Sequence, residues 1–209
     1  MYIPPVTDIL DKIYTWALKD KIFHYGIVKS GIEEVGNTIT GGTSGATGTI
    51  TVVGSKYIEY TKTSTAQFQR NETITTNAGV TMKVGAINEF HTSLVDKFYF
   101  QEAPEAVLSS VVPYCVYNWL GVPVGDFDSA YDTKIRRLMI DFKFYFSTSD
   151  SLPLIQILSQ LQTIFDFPEF SFTNWNYSQF ILQGITPVLR DENNIWTSTA
   201  TYVLTVSVK

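Results

Sequence analysis

From Leu138 to Phe146 the apolar residues fall on alternate positions. Leu138, Ile140, Phe142, Phe144 and Phe146 are separated by Met139, Asp141, Lys143 and Tyr145. Successive side chains of a strand point to opposite faces, so this period of two predicts a strand with one strongly apolar face. The pattern stops at Ser147-Thr148-Ser149-Asp150, residues that cap helices. Beyond them the period becomes 3.6. Leu154, Ile157, Leu158, Leu161, Ile164 and Phe165 share one side of a predicted helix. Pro153 falls in its first turn, where a missing N–H costs little.

The flanking chain supplies more of the same layers. Ile9, Leu10, Ile13, Trp16 and Ala17 form the apolar stripe of a first helix, capped at Thr7 or Asp8 and running to about Asp20. Residues 96–100 and 111–119 read as strands, and Pro113 marks an edge or a strand beginning. Gly121 to Asp132 is too long for a tight hairpin and predicts a protruding loop or arm. Phe167 to Tyr177 reads as an aromatic loop. Residues 179–189 and 196–208 read as strands joined by a turn at Asp191-Glu192-Asn193-Asn194.

Between these parts the vocabulary changes. Residues 31–92 hold nine of the 13 glycines and 14 threonines but only four aromatics, Tyr57, Tyr60, Phe68 and Phe90. Short alternating runs such as Thr49-Ile50-Thr51-Val52-Val53 and Tyr57-Ile58-Glu59-Tyr60 are separated by glycine-rich turns, the pattern of a small all-β module. Gly36-Asn37-Thr38-Ile39-Thr40 is echoed 35 positions later by Asn71-Glu72-Thr73-Ile74-Thr75, which fits two facing β-units of one sandwich or barrel. The expected fold is therefore α+β: a mostly antiparallel sheet with two packing helices from residues 1–30 and 94–209, plus an inserted all-β module at 31–93. The two ends of the insert are expected to lie close together.

Charge narrows the partners. Charged residues make up 17% of the chain, below the roughly 25% of soluble domains. The net charge of -5 offers no basic field for nucleic acid or anionic lipid. No apolar run reaches the ~18 residues that span a bilayer. Met1 to Pro5 lacks the charged and apolar regions of a signal peptide, and the single Cys115 excludes an internal disulfide framework. The expectation is a protein made in a reducing cytoplasm, without membrane or direct nucleic-acid recognition.

Catalytic chemistry is hard to find in the sequence. Gly41 to Gly48 lacks the Gly-Lys-Ser/Thr end of a phosphate loop and reads as a Thr/Gly turn. His24 and His91 stand apart from any ligand spacing. Cys115 sits inside an apolar strand and reads as a small buried hydrophobe. Asp126, Asp128 and Asp132 do not complete a calcium-loop pattern. The aromatics Phe165, Phe167, Phe170, Phe172, Trp175 and Tyr177 read first as core or interface packing and second as a sugar cradle. The expectation is no catalytic residue, no metal and no cofactor.

Val95-Asp96-Lys97-Phe98-Tyr99 with Ala103-Pro104, then Pro113-Tyr114-Cys115-Val116-Tyr117, resembles the tail terminator (tail-completion) proteins of long-tailed bacteriophages. The strand and helix at 138–165 and the closing hairpin around Trp196 fit the same pattern. The resemblance covers residues 1–30 and 94–209. It implies a structural virion protein, assembled in the host cytoplasm, that forms a ring, a hexamer in that family. Such a ring caps the tail tube protein and joins it to the head-side neck or connector protein. The insert departs from the simplest members and resembles β-modules that decorate phage structural proteins. Two alternatives stand beside this expectation: another neck or connector component, and a carbohydrate-binding β-module protein. The exposed arm is the candidate partner contact, through Val122, Val124, Phe127 and Tyr131.

Overall fold

The computed structural model describes residues 7–24, 33–88, 97–103, 113–120, 127–128, 134–147, 149–166 and 168–209. The chain divides into two compact units, 1–17 with 92–209, and 18–91.

Among its described residues the first unit is a mostly antiparallel sheet with two helices. Helix α1 spans Thr7–Leu18 and buries the predicted stripe. The sheet takes its strands from both sides of the second helix. Its order is β12 (Trp175–Ile185), β14 (Trp196–Val208), β11 (Lys134–Phe146), β9 (Tyr114–Trp119) and β8 (Phe98–Phe100). The two-residue strands β10 (Phe127–Asp128) and β13 (Leu189–Arg190) pair with β11 and β14. One neighbouring pair, β8 with β9, is parallel.

Strand β11 is central, as its alternation predicts. It pairs with β14 from Ile135↔Ser207 to Phe146↔Trp196 and with β9 from Ile140↔Trp119 to Tyr145↔Tyr114. Its even positions from Leu138 to Phe146 are buried, and so are Ala200, Tyr202 and Leu204 opposite them on β14, with Val206 further along. Helix α2, Leu152–Phe165, covers that face with Leu154, Ile157, Leu158, Leu161, Ile164 and Phe165. Asp150 Oδ1 accepts a hydrogen bond from Leu152 N (2.9 Å), which satisfies one orphan N–H of its first turn. The helices meet where Trp16 Nε1 donates to the Ile164 carbonyl (2.9 Å). Tyr14 of α1 lies 5.9 Å from Tyr117 and 6.0 Å from Phe98, ring to ring, so α1 covers the β9 end of the same face. Pro113 immediately precedes β9, which starts rather than edges the sheet there.

One boundary differs from the sequence reading. The strand expected at 179–189 begins at Trp175 and ends at Ile185. The cause is a register shift between Tyr177 and Gln179. Before the bulge the inward residues are Trp175 and Tyr177; after it they are Phe180 and Leu182. A bulge inserts one residue and reverses the phase of the alternation, so the pattern is in phase only from Phe180.

The second unit contains seven strands among its described residues. They are β1 (Lys21–Phe23), β2 (Thr38–Gly41), β3 (Thr47–Val53), β4 (Tyr57–Lys62), β5 (Thr73–Thr76), β6 (Thr81–Lys83) and β7 (Ala86–Asn88). Their order is β6-β5-β2-β3-β4-β1-β7. The outermost strands are consecutive in the chain, separated by Val84 and Gly85 alone. Laid flat, edge strands of seven would stand about 29 Å apart at ~4.8 Å per step. The three virtual bonds from Lys83 to Ala86 reach at most about 11 Å. The sheet therefore curls, bringing the Lys83 end of β6 and the Ala86 end of β7 within that reach. Val84 N donates to the Glu72 carbonyl on one edge, and Gly85 N donates to the Phe23 carbonyl on the other (2.9 and 2.8 Å). The enclosed core holds Ile22, Ile39, Ile50, Ile58, Tyr60, Phe68, Ile74, Met82 and Val84.

The sequence echo becomes a two-fold pairing within this unit. β2 and β5 are antiparallel neighbours, with Ile39↔Thr76 and Gly41↔Ile74. Gly42 N donates to the Thr73 carbonyl and Asn77 N to the Thr38 carbonyl, both at 2.9 Å. These are reciprocal bonds at matching positions of the two copies. Gly36 and Asn71 both take positive φ, +92° and +66°, where each copy enters its strand.

The β-module was expected to begin at Gly31. The second unit starts at Leu18 and includes β1, whose three residues are all buried. A lysine at the head of a buried three-residue strand gives no period-two signal. Lys21 Nζ lies 3.1 Å from Glu59 Oε1 on β4, and burial lowers its pKa to about 8 despite that carboxylate.

Candidate assembly interface

Strand β12 forms one edge of the first unit's sheet. It pairs with β14 along one side, and no described strand pairs with the other. Its sequence, Trp-Asn-Tyr-Ser-Gln-Phe-Ile-Leu-Gln-Gly-Ile, runs 11 residues without a charge or a proline. Exposed edges present unpaired N–H and C=O groups, and proteins usually blunt them with lysine, proline or shortness. Bulges at Tyr177/Gln179 and Leu182/Gly184 are the only interruptions of this ladder. Ile181 and Ile185 stand on the strand 45% and 36% exposed. An uncharged edge of this length is a template for another chain's strand.

The sheet's other face continues from this edge. The odd positions of β11 point away from the two helices, because the even ones point toward them. Across that face Tyr114 stacks on Tyr145, with ring centroids 4.5 Å apart and planes at 13°. Lys143 Nζ lies 5.0 Å above the Tyr145 ring. Thr201 Oγ1 donates to Asp141 Oδ1 (2.6 Å), and Gln179 Nε2 donates to Thr205 Oγ1 (3.2 Å). A shallow cavity of about 410 Å3 lies among Arg137, Met139, Gln179, Gln183 and Val203. The face mixes aromatic, aliphatic and single charged groups, a composition that suits a protein contact better than a small-molecule cleft.

The arm is only partly described. Phe127 and Asp128 form β10, pairing with Ile135 and Lys134 at the start of β11. At least this part of the Gly121–Asp132 connection is thus tied to the sheet. Val122, Val124 and Tyr131 lie outside the described residues, as do Asp126, Asp132 and His91. His24 is buried in the second unit, and its backbone N–H donates to the Lys56 carbonyl (2.9 Å). Cys115 is fully buried on β9, where burial pushes its thiol well above its ordinary pKa. Phe165, Phe170, Phe172 and Trp175 are buried and Tyr177 is half-buried; Phe167 lies outside the described residues. Phe170 packs edge-on against Trp16 at 5.6 Å and Tyr177 at 5.5 Å.

The edge was not singled out from the sequence. A signal did exist, since residues 170–189 contain no charged side chain. Which edge of a sheet a strand occupies is set by pairing distant in sequence, so the run could not be read as an edge without the topology. Among the described residues no helix is long and apolar enough to cross a membrane. No protein-family profile matches the chain, and no curated protein matches it at a meaningful level of similarity.

Proposed function

We propose that the protein is a structural subunit of a virus particle. It acts as a tail terminator of the long-tailed phage type, whose ring caps the tail tube and joins it to the head-side neck. The observation that carries this reading is β12, an 11-residue sheet edge without charge or proline. A subunit that closes a ring offers complementary surfaces to its two neighbours. An open, uncharged edge beside a mixed sheet face supports that use. The order of elements in the first unit and the strands at Phe98–Phe100 and Tyr114–Trp119 agree with the resemblance in sequence.

In this reading the second unit is a self-standing β-domain carried by the ring-forming body. The arm with Val122, Val124, Phe127 and Tyr131 supplies a further contact to tube or neighbour. The neck or connector alternative draws on the same edge and differs only in which ring the subunit builds. The carbohydrate-binding alternative draws on the Thr/Gly β-module and on the aromatics at 165–177. Burial of Phe165, Phe170, Phe172 and Trp175 withdraws the support of the aromatics.

Negative-stain electron microscopy of the purified chain tests the proposal. Annular particles with a central hole are expected, sixfold by the resemblance. Monodisperse particles the size of one 23.6 kDa chain, at concentrations on the order of 10 μM where a stable interface is saturated, would remove both virion readings.

A further inference from the structure

Where α2 ends against β12 and β14, a cavity of about 470 Å3 opens among Gln162, Phe165, Asp166, Phe180, Leu182 and Tyr202. Three of its walls are aromatic. Phe180 stacks on Tyr202 with centroids 4.8 Å apart and planes at 15°. Phe165 meets Phe180 at 4.9 Å and Tyr202 at 5.2 Å, both edge-on. Tyr202 is 2% exposed, yet its hydroxyl has no hydrogen-bond partner among the described residues. A buried hydroxyl without a partner is costly and calls for a ligand group.

The charge at this place has one sign. Asp166 follows the last residue of α2, and the last turn carries no basic residue. A helix C-terminus already carries partial negative charge, and an acidic residue there adds to it. Among the described residues no cation pairs with Asp166. Burial raises the Asp166 carboxyl above its ordinary pKa, and nothing opposes that shift. The cavity thus combines aromatic walls, a carboxylate, a helix C-terminus and an orphan phenolic oxygen, with no positive group of its own.

We infer that this cavity receives the guanidinium of an arginine from a partner protein laid along β12. Phe180, Ile181 and Leu182 belong to β12 and line the cavity, so an added strand passes its rim. A guanidinium stacks on aromatic faces and presents several N–H donors at once, whereas an ammonium is compact and strongly hydrated. Asp166 accepts from one edge of the group and the Tyr202 oxygen from another. The aliphatic stem of the arginine covers Leu182. The partner's position rests on the assembly reading; the cavity's preference for guanidinium does not.

The test is a titration of the full-length chain with N-acetyl-arginine methylamide, followed by NMR at the Phe180 and Tyr202 rings. The norleucine analogue, equal in stem but without charge, is the control. Saturable shifts with a Kd on the order of 1–10 mM are expected for the arginine probe and none for norleucine. Asp166→Asn weakens binding by about fivefold. Tyr202→Phe, which keeps the ring and removes the oxygen, weakens it by about threefold. Shifts of equal size with both probes, or no saturable shift with either, overturn the inference. If the arginine probe binds and Asp166→Asn assembles as well as the wild type, the partner assignment is wrong. A wild-type chain that stays monomeric but binds the probe sinks the assembly reading and leaves the guanidinium preference standing.

Discussion

The two sheets of this chain handle their edges in opposite ways. The unit at 18–91 joins β6 to β7 through Val84 and Gly85, curling closed at that corner, and leaves only these three-residue strands at the ends of its order. The unit built on β11 ends in β12, uncharged and unpaired by any described strand along one side. Their interiors differ too. The closed unit has a mostly aliphatic core, with one ring pair at Tyr60 and Phe68, and buries Lys21, paired with Glu59, and Glu72. The open one is filled by rings, with Phe142 touching Phe98, Tyr117, Phe165 and Tyr202. A sheet whose end strands are three residues long offers little ladder to another chain. A long bare edge can accept another chain's strand, so under the proposed function assembly is expected on the first unit.

The largest expected effect comes from emptying the aromatic core. Phe142→Ala removes a fully buried ring and should destabilise the first unit by about 3–5 kcal/mol. All four tryptophans, Trp16, Trp119, Trp175 and Trp196, lie in that unit. Tryptophan fluorescence during urea unfolding therefore reads it alone. Hydrogen exchange at Ile39, Ile58 and Ile74 should stay unchanged in the variant; if protection there falls by the same amount, the two units are one cooperative body.

Next in size is the carboxylate that ties the closed unit's loops. Glu72 accepts hydrogen bonds from the N–H groups of Thr43 (3.1 Å), Ser44 (3.0 Å) and Gln69 (2.6 Å), and from Ser44 Oγ (2.9 Å). A Cβ on Gly41 would collide with Ser44 Oγ and with this carboxylate, which explains the glycine there. Glu72→Ala should cost about 2–3 kcal/mol and speed exchange of the Thr43, Ser44 and Gln69 amides. Burial alone would raise the carboxyl pKa, but the bonds from Gln69, Ser44 and Thr43 hold it below the ordinary 4.5. The stability it contributes is complete above 4.5 and is lost as the pH falls through the lower folded value. Acid should therefore loosen the closed unit in the wild type and have less effect in Glu72→Ala.

Alkaline pH should separate the units in the other direction. Lys21 has its pKa lowered from 10.5 to about 8, by burial first. Between those values the unfolded chain binds more protons than the folded one, so the closed unit gains stability as the pH rises from 8 to 10.5. Tyr117 in the open unit is shifted the opposite way by burial, from 10.0 to about 12. Its contribution is complete below pH 10 and is lost as the pH climbs toward 12. Exchange protection at the Ile58 amide should thus grow between pH 8 and 10, after correction for the intrinsic rate. The fluorescence-detected midpoint should begin to fall above pH 10. A common drift of both signals would break the contrast.

The smallest expected effect is that of losing the closed unit altogether. Replacing residues 18–91 by a short Gly/Ser linker should change the fluorescence-detected stability of the remainder by about 1 kcal/mol or less. Cutting instead at Ser30 leaves β1 without β4 and β7, its pairing partners, and should give a less soluble product.

Much of this was legible in the chain. The 138–146 alternation marked β11 and its buried face, and the stripes of both helices match the residues they bury. The echo between residues 36–40 and 71–75 marked a real two-fold pairing. What escaped had physical reasons. The bulge after Tyr177 reversed the phase of β12 and hid its first turn of alternation. β1 has no period-two signal, and Lys21 at its head is paired with Glu59, far away in sequence. The bare edge is a property of pairing order rather than of any residue, so the interface reading rested on the arm, where only Phe127 and Asp128 are described.

The central claim is that β12 is an assembly edge, and sedimentation velocity of the wild type beside Ile181→Lys tests it most directly. Ile181 is 45% exposed, so the lysine should alter thermal stability by no more than about 0.5 kcal/mol. It should nevertheless convert a multimer into a monomer by placing a charge on the edge. Identical sedimentation of the two proteins, whether both assembled or both monomeric, would contradict the account.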